Sequence, residues 1–195
     1  MVVMAPRDED QLRHMLATAY ERTEGPSSLR YPRGAGPGVA LIGEPEAIPI
    51  GKSETLGEGV DVAILAVGSM VHPALEARRL LSLSGISSKI VDMRFIKPLD
   101  VKLLADVWSN FDKVVTVEEN ALAGGFGAAV LEWGASQGQN PGPKILNIGI
   151  PDKFQEHASR DQLLQDMGLC GEGITRQVVE FFSLGSDQVQ TQGAS

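Results

Sequence analysis

A single cysteine in 195 residues, Cys170, excludes an internal disulfide and any cysteine-based zinc site. A reducing compartment is the natural expectation, and Cys170 beside Leu169 reads as a small buried hydrophobe. Long apolar runs are missing as well. None approaches the roughly 20 residues that a bilayer-spanning helix needs, so no membrane partner is expected. Basic residues are scarce: 17 Lys and Arg stand against 25 Asp and Glu, a formal charge of −8 at pH 7. Phosphate backbones demand clustered cations, so nucleic acid is not an expected partner, and an anionic substrate has to be met by a few local arginines. The amino terminus, MVVMAPRDEDQ, lacks the basic and apolar regions of a signal peptide, which points to cytoplasm or an organelle matrix.

What remains is 43% apolar, with 22 glycines and 11 prolines, a composition suited to an α/β protein with one core and part of a second domain. The organising stretch runs from Lys113 to Val130, KVVTVEENALAGGFGAAV. Val114, Val115 and Val117 suit a strand buried on both faces. Glu118, Glu119 and Asn120 fall at its carboxyl end, and Gly124, Gly125 and Gly127 open a helix reaching about Gln137. Carboxyl ends of parallel strands are where α/β proteins place ligands.

Before it, Val2 to Met4 reads as the end of a buried strand. Asp8 caps a helix with Leu12, Met15, Leu16 and Ala19 on one face. Ser28 to Tyr31 is extended. This strand-helix-strand piece, residues 1 to 34, has no sheet of its own and reads as the end of a domain. Residues 35 to 49, rich in Gly and Pro, read as a linker, and a second domain is expected over 50 to 183. There, Lys52 to Leu56 and Asp61 to Val67 suggest a hairpin turning at Gly57-Glu58-Gly59. Ser69 caps a helix with Ala74, Ala77 and Leu81 inward and Gly85 at its end. Lys89 to Phe95 is the next strand, and Asp100 caps a helix carrying Leu103, Leu104 and Val107. After the glycine-led helix come a turn at Gly138 to Pro143 and a strand at Lys144 to Ile148. Helices near Arg160 to Met167 and Ile174 to Phe182 follow, and residues 184 to 195 read as a disordered tail. The fold class is α/β, a mainly parallel sheet with helices on both faces.

Few motifs carry chemistry. Gly51-Lys52-Ser53 ends like a phosphate-binding loop, but the glycine required five residues earlier is Glu46. Gly125-x-Gly127 is a weak dinucleotide signal, better read as packing at a helix start. Glu118 and Glu119 are adjacent, so in a strand they point to opposite sides and cannot flank one substrate. One could cap the nearby helix amides, or the pair could serve an interface. His14, His72 and His157 show no ligand spacing and read as structural. Arg30-Tyr31-Pro32-Arg33-Gly34 puts two arginines on a stiff segment, which could clamp an anion or form a salt bridge.

Taken together, RYPRG, MRFIKPLD, VEEN with its glycines, LNIGIPDKFQEHA and LLQDMGL resemble the carboxyl-terminal part of the 1-deoxy-D-xylulose-5-phosphate synthases, within the transketolase-like family. The resemblance implies an enzyme that condenses pyruvate with glyceraldehyde 3-phosphate on thiamine diphosphate and magnesium, losing carbon dioxide, in isoprenoid synthesis. It implies that residues 1 to 34 end the pyrimidine-binding domain and that 50 to 183 form the transketolase carboxyl-terminal domain. It gives Arg33, with Arg30 assisting, the phosphate of the aldehyde. The expected partners are the rest of the same enzyme and its homodimer mate, in bacterial cytoplasm or plastid stroma. The Gly-Asp-Gly motif that binds magnesium diphosphate in such enzymes is absent, so this portion alone is expected to bind no cofactor and to catalyse nothing. The beta subunit of a 2-oxo-acid dehydrogenase and a non-catalytic interaction module are the alternatives.

Overall fold

The computed structural model describes residues 1–138 and 142–184. Its larger sheet comprises β3 (Glu54–Gly57), β4 (Val62–Ala66), β5 (Ser88–Asp92), β7 (Lys113–Ala121) and β8 (Lys144–Ile150), in the order β3-β5-β4-β7-β8. The last four are mutually parallel, and β3 joins the β5 edge antiparallel. β4 is buried along its whole length. Alternation sends its side chains both ways: Val62, Ile64 and Ala66 join one core, Ala63 and Leu65 the other.

The first core lies under α2 (Val71–Leu83) and α6 (Gly171–Phe182), through Ala74, Ala77, Leu81, Ile174 and Val178. The second lies under α3 (Val101–Asn110) and α4 (Phe126–Ser136), through Leu104, Val107, Phe126 and Val130. Trp108 and Trp133 meet edge to face at 5.1 Å and join these two helices. A mainly parallel sheet with helices on both faces is therefore borne out. Asp100 caps α3 as expected, accepting from the Leu103 amide at 3.2 Å. A short helix α5 (Arg160–Asp166) precedes α6.

Residues near the amino terminus do have a sheet, contrary to expectation. β1 (Val2–Met4) pairs parallel with β2 (Ser27–Leu29) across α1 (Glu9–Glu21), and antiparallel with β6 (Phe95–Lys97) on its other side. The run expected as one strand, Lys89 to Phe95, is thus split. Arg94 adopts a left-handed conformation at φ 56°, its amide held at 3.0 Å by Asp92 Oδ1, and the chain leaves the large sheet to complete the small one. The expected hairpin is also corrected: β3 pairs with β5 and not with β4, because β4 has both its edges taken by β5 and β7.

Asp8 caps α1, accepting from the Gln11 amide at 2.8 Å. The buried face of that helix is Gln11, Met15 and Thr18, while Leu16 is 54% exposed, so the expected apolar face is rotated. The buried polar groups have partners. Gln11 Nε2 donates to Asp92 Oδ2 at 2.7 Å, and the Ile48 amide donates to Thr18 Oγ1 at 2.7 Å. Over 35 to 49 there is no helix or strand; this stretch runs along α1, with Gly38 N on Glu9, Ile42 N on Asp10 and Glu46 N on His14. Part of the turn at Gly138 to Pro143 and nearly all of the tail expected over 184 to 195 lie outside the described residues.

Asp92, fully buried at the end of β5, joins the parts. Arg7 donates to Asp92 Oδ2 at 3.0 Å and to Glu54 Oε2 at 2.6 Å, and Arg94 also pairs with Glu54. Burial pushes the Asp92 carboxyl up, against the Gln11 amide and the Arg7 guanidinium. Removing one partner of so buried a pair leaves the other uncompensated. Arg7→Ala should lower unfolding stability by about 3 kcal/mol, read from urea denaturation; a loss below about 1 kcal/mol, the range of surface pairs, would contradict this account.

Candidate functional site

The carboxyl end of β7 is where the sequence places its most unusual residues, and each of them is engaged. Glu118 is buried and turns toward α4, accepting from the Phe126 amide at 2.7 Å and the Gly127 amide at 2.8 Å. Two orphan amides of a helix start are satisfied at once. Glycine makes this possible: a Cβ at Gly125 would lie 2.3 Å from Glu118 Oε2, and one at Gly127 would lie 2.6 Å from Thr116 Oγ1. Burial pushes the Glu118 carboxyl up, opposed by the Gly127 and Phe126 amides. Of the two readings left open for the acidic pair, helix capping is therefore realised by Glu118.

Glu119 points the other way. Its carboxylate takes a forked pair from Arg160, with Nε on Oε1 at 2.7 Å and Nη2 on Oε2. Ser69 Oγ donates to Oε2 at 2.6 Å. Ser69 is therefore not the expected helix cap. It sits in a 3-10 turn, Gly68–Met70, after β4, and α2 begins at Val71 with no side-chain cap. Burial pushes the Glu119 carboxyl up, but the bonds from Arg160 and Ser69 outweigh it and hold the group below the ordinary glutamate range.

The arginine arm lies against this strand end. Arg30 Nη1 donates to the Glu119 main-chain oxygen at 2.9 Å. A small cavity of about 180 Å³ separates Arg30, Tyr31 and Pro32 from Glu118, Glu119 and Asn120. Beyond it opens a cleft of about 780 Å³, lined among others by Arg7, Arg33, Ser69, His72, Arg160 and Cys170. Arg33 is exposed there, and no hydrogen bond or ion pair engages it among the described residues. Arg7 and Arg160, by contrast, both carry carboxylate partners. The arrangement can bind and orient an anion.

Other candidates settle elsewhere. Cys170 is half-buried at the start of α6, not enclosed in the core, because Leu169 and Ile174 take the inward positions. His14 Nδ1 accepts from the Glu46 amide at 2.9 Å, and His157 is exposed in the loop after β8. His72 lines the cleft with Nε2 3.7 Å from Asp8 Oδ2. Ser53 of the incomplete phosphate-loop motif donates to Asp100 at 3.0 Å. Among the described residues no three His, Cys, Asp or Glu side chains group to hold a metal ion. Arg160 and Ser69 had no sequence signal as site residues, since their importance comes from Glu119, 41 positions before Arg160 and 50 after Ser69.

Residues 51–174 match the family profile described as transketolase, C-terminal domain. The chain belongs to the transketolase C-terminal domain family. Among the most similar curated relatives of this transketolase C-terminal domain is 1-deoxy-D-xylulose-5-phosphate synthase of Thermomicrobium roseum, 48% identical over 94% of this chain and 29% of that protein. 1-Deoxy-D-xylulose-5-phosphate synthase 1 of Geobacter sulfurreducens is 47% identical over 94% of this chain and 28% of that protein. The chain thus spans less than a third of the length of these relatives, and the likeness expected from RYPRG, MRFIKPLD and VEEN is borne out. A solved structure, a split gene transketolase in an inactive beta4 tetramer, superposes with a TM-score of 0.77 at 33% identity, covering 95% of this chain and 58% of that one.

The Glu119 pairing has a pH signature. A carboxyl depressed in the folded state contributes stability above its unfolded value, about 4.3, and loses it as pH falls through the folded value. The melting temperature of the Glu119→Gln variant should therefore fall below that of the parent at pH 6 to 7, with the gap closing as pH drops below about 4. Thermal melts across that range check it. A gap independent of pH would refute the linkage.

Proposed function

We propose that this chain supplies the carboxyl-terminal part of a 1-deoxy-D-xylulose-5-phosphate synthase, a thiamine-diphosphate-dependent transferase condensing pyruvate with glyceraldehyde 3-phosphate. On this reading residues 1–34 end the pyrimidine-binding domain and 50–183 form the carboxyl-terminal domain. Its own contribution is positioning: Arg33 holds the aldehyde's phosphate, Arg30 fixes the arm, and thiamine diphosphate with magnesium is held by segments this chain does not contain. The observation that carries this is Arg33 itself. It is an exposed guanidinium without a partner among the described residues, behind Pro32, at a cleft whose other arginines are already paired. A phosphate dianion wants such a forked, permanently charged donor.

A second reading is favoured by the split gene transketolase that superposes on this chain. The cofactor-binding part would then reside on another polypeptide, and this chain would complete it in trans. The activity proposed is the same. A 2-oxo-acid dehydrogenase beta subunit is disfavoured by RYPRG.

In the intact enzyme, Arg33→Ala should reduce kcat/KM for the aldehyde by about 1.5 to 3 kcal/mol, the worth of a charged hydrogen-bonded contact, with the KM for pyruvate nearly unchanged. Steady-state kinetics with each substrate varied in turn decide it, and equal weakening for both would sink the role given to Arg33. This chain alone, supplied with thiamine diphosphate, magnesium and both substrates, should form no deoxyxylulose phosphate; product formation would overturn the positioning role.

A further inference from the structure

The three arginines of the cleft differ in what they have left to give. Arg7 donates through Nε to Asp8 and through Nη1 to Glu54 and Asp92, three carboxylates that hold it against the amino-terminal helix. Arg33 has its whole fork available among the described residues. Arg160 stands between them. A guanidinium carries five N–H donors in a rigid plane, and Glu119 takes one from Nε and one from Nη2. Three donors remain, two on Nη1 and one on Nη2. Asp161 Oδ1 lies 3.9 Å from Nη1, beyond hydrogen-bond reach, and its side chain is 91% exposed.

The side that holds Arg160 is itself fixed. Glu119 stands at the end of a central strand, and Ser69 Oγ, from the turn after the neighbouring strand, donates to the carboxylate oxygen that also meets Arg160 Nη2. The guanidinium is thus oriented by two bonds and lines the same cleft as Arg33. A phosphate monoester dianion offers three oxygens, more than one forked arginine can engage.

We propose that Arg160 is a second anion-binding side chain of this cleft, gripping a phosphate monoester together with Arg33, with Ser69 and Glu119 as its positioning residues. The proposal rests on reading the cleft as a phosphate site. Because Glu119 neutralises Arg160, that side chain supplies directed hydrogen bonds, and Arg33 supplies the net charge. Ionic strength therefore weakens the Arg33 contact more than the Arg160 contact.

The test is a titration of this chain with inorganic phosphate at constant ionic strength, following the arginine Nε–H resonances by nuclear magnetic resonance. Phosphate should shift Arg33 and Arg160 with one midpoint. R160Q should raise the midpoint roughly tenfold while leaving its salt dependence intact, whereas R33Q should raise it at least as much and flatten the salt dependence. A wild-type midpoint for R160Q, with R33Q still weakened, would overturn the role of Arg160 and leave the phosphate reading standing. Unchanged midpoints in both variants, or no shift with phosphate at all, would overturn the phosphate reading itself. Should R160Q not fold, as judged by its amide spectrum, R160K keeps the charge but loses the fork, and a wild-type midpoint there also refutes the proposal. Glycerol 3-phosphate should bind at least as tightly as inorganic phosphate; weaker binding would mark a site for the free ion and overturn the monoester assignment.

Discussion

Two adjacent carboxylates at the end of a strand must find partners on opposite sides of the sheet, because successive side chains of an extended chain point in opposite directions. Glu118 and Glu119 meet that constraint with three separate sets of donors. One side chain takes the first amides of α4, the other takes Arg160 and Ser69, and the Glu119 carbonyl takes Arg30. A single strand end thereby fixes a helix on one side, a wall of the cleft on the other, and the arginine arm across its tip. The glycines that follow are needed because Glu118 comes too close to the α4 start for any Cβ at Gly125.

A second constraint acts at the end of β5. Asp92 has no exposure, so its charge is tolerable only with dedicated donors. It draws them from Arg7, Gln11 and the Arg94 amide, which brings the start of α1, the edge strand β3 and the chain leaving β5 to one point. The same departure sends β6 to pair with β1. The small sheet is thus completed by a strand whose paired residues lie 91 and 94 positions away in sequence, and the arm after β2 follows directly on that sheet.

What the sequence made legible follows from how local each signal was. The valines of β7, the continuous apolar run of β4 and the caps at Asp8 and Asp100 depend on neighbours within a few positions, and they came out as expected. The fate of β3 did not, because an edge strand chooses its partner by which edge is open, and no local pattern states that. Ser69 has the chemistry of a helix cap, but a carboxylate 50 residues away takes its hydroxyl. In α1, Gln11 and Thr18 displaced Leu16 from the inner face because their partners, Asp92 and the Ile48 amide, lie outside the helix. The RYPRG motif showed two arginines on a stiff segment, suited to an anion or to a salt bridge; what surrounds them was not legible, since Arg7 and Arg160 gain their meaning from residues 85 and 41 positions distant.

The field inside the cleft is set by its local balance of charge, not by the net charge of the chain. A guanidinium surrounded by carboxylates has little net field, and two of the three cleft arginines are in that condition. Their carboxylates do something else. Held at a strand end or in a buried network, they fix the direction of each guanidinium, so fewer rotamers are lost when the remaining donors meet a ligand. Arg33 is the complement, free of partners among the described residues and carrying its full charge, on a segment that Pro32 and the Arg30 anchor keep from wandering. On the proposed reading, such a site would attract an anion through one cation and discriminate through the orientation of the others. Net charge over the whole chain then says little about the field that a ligand of the cleft would meet.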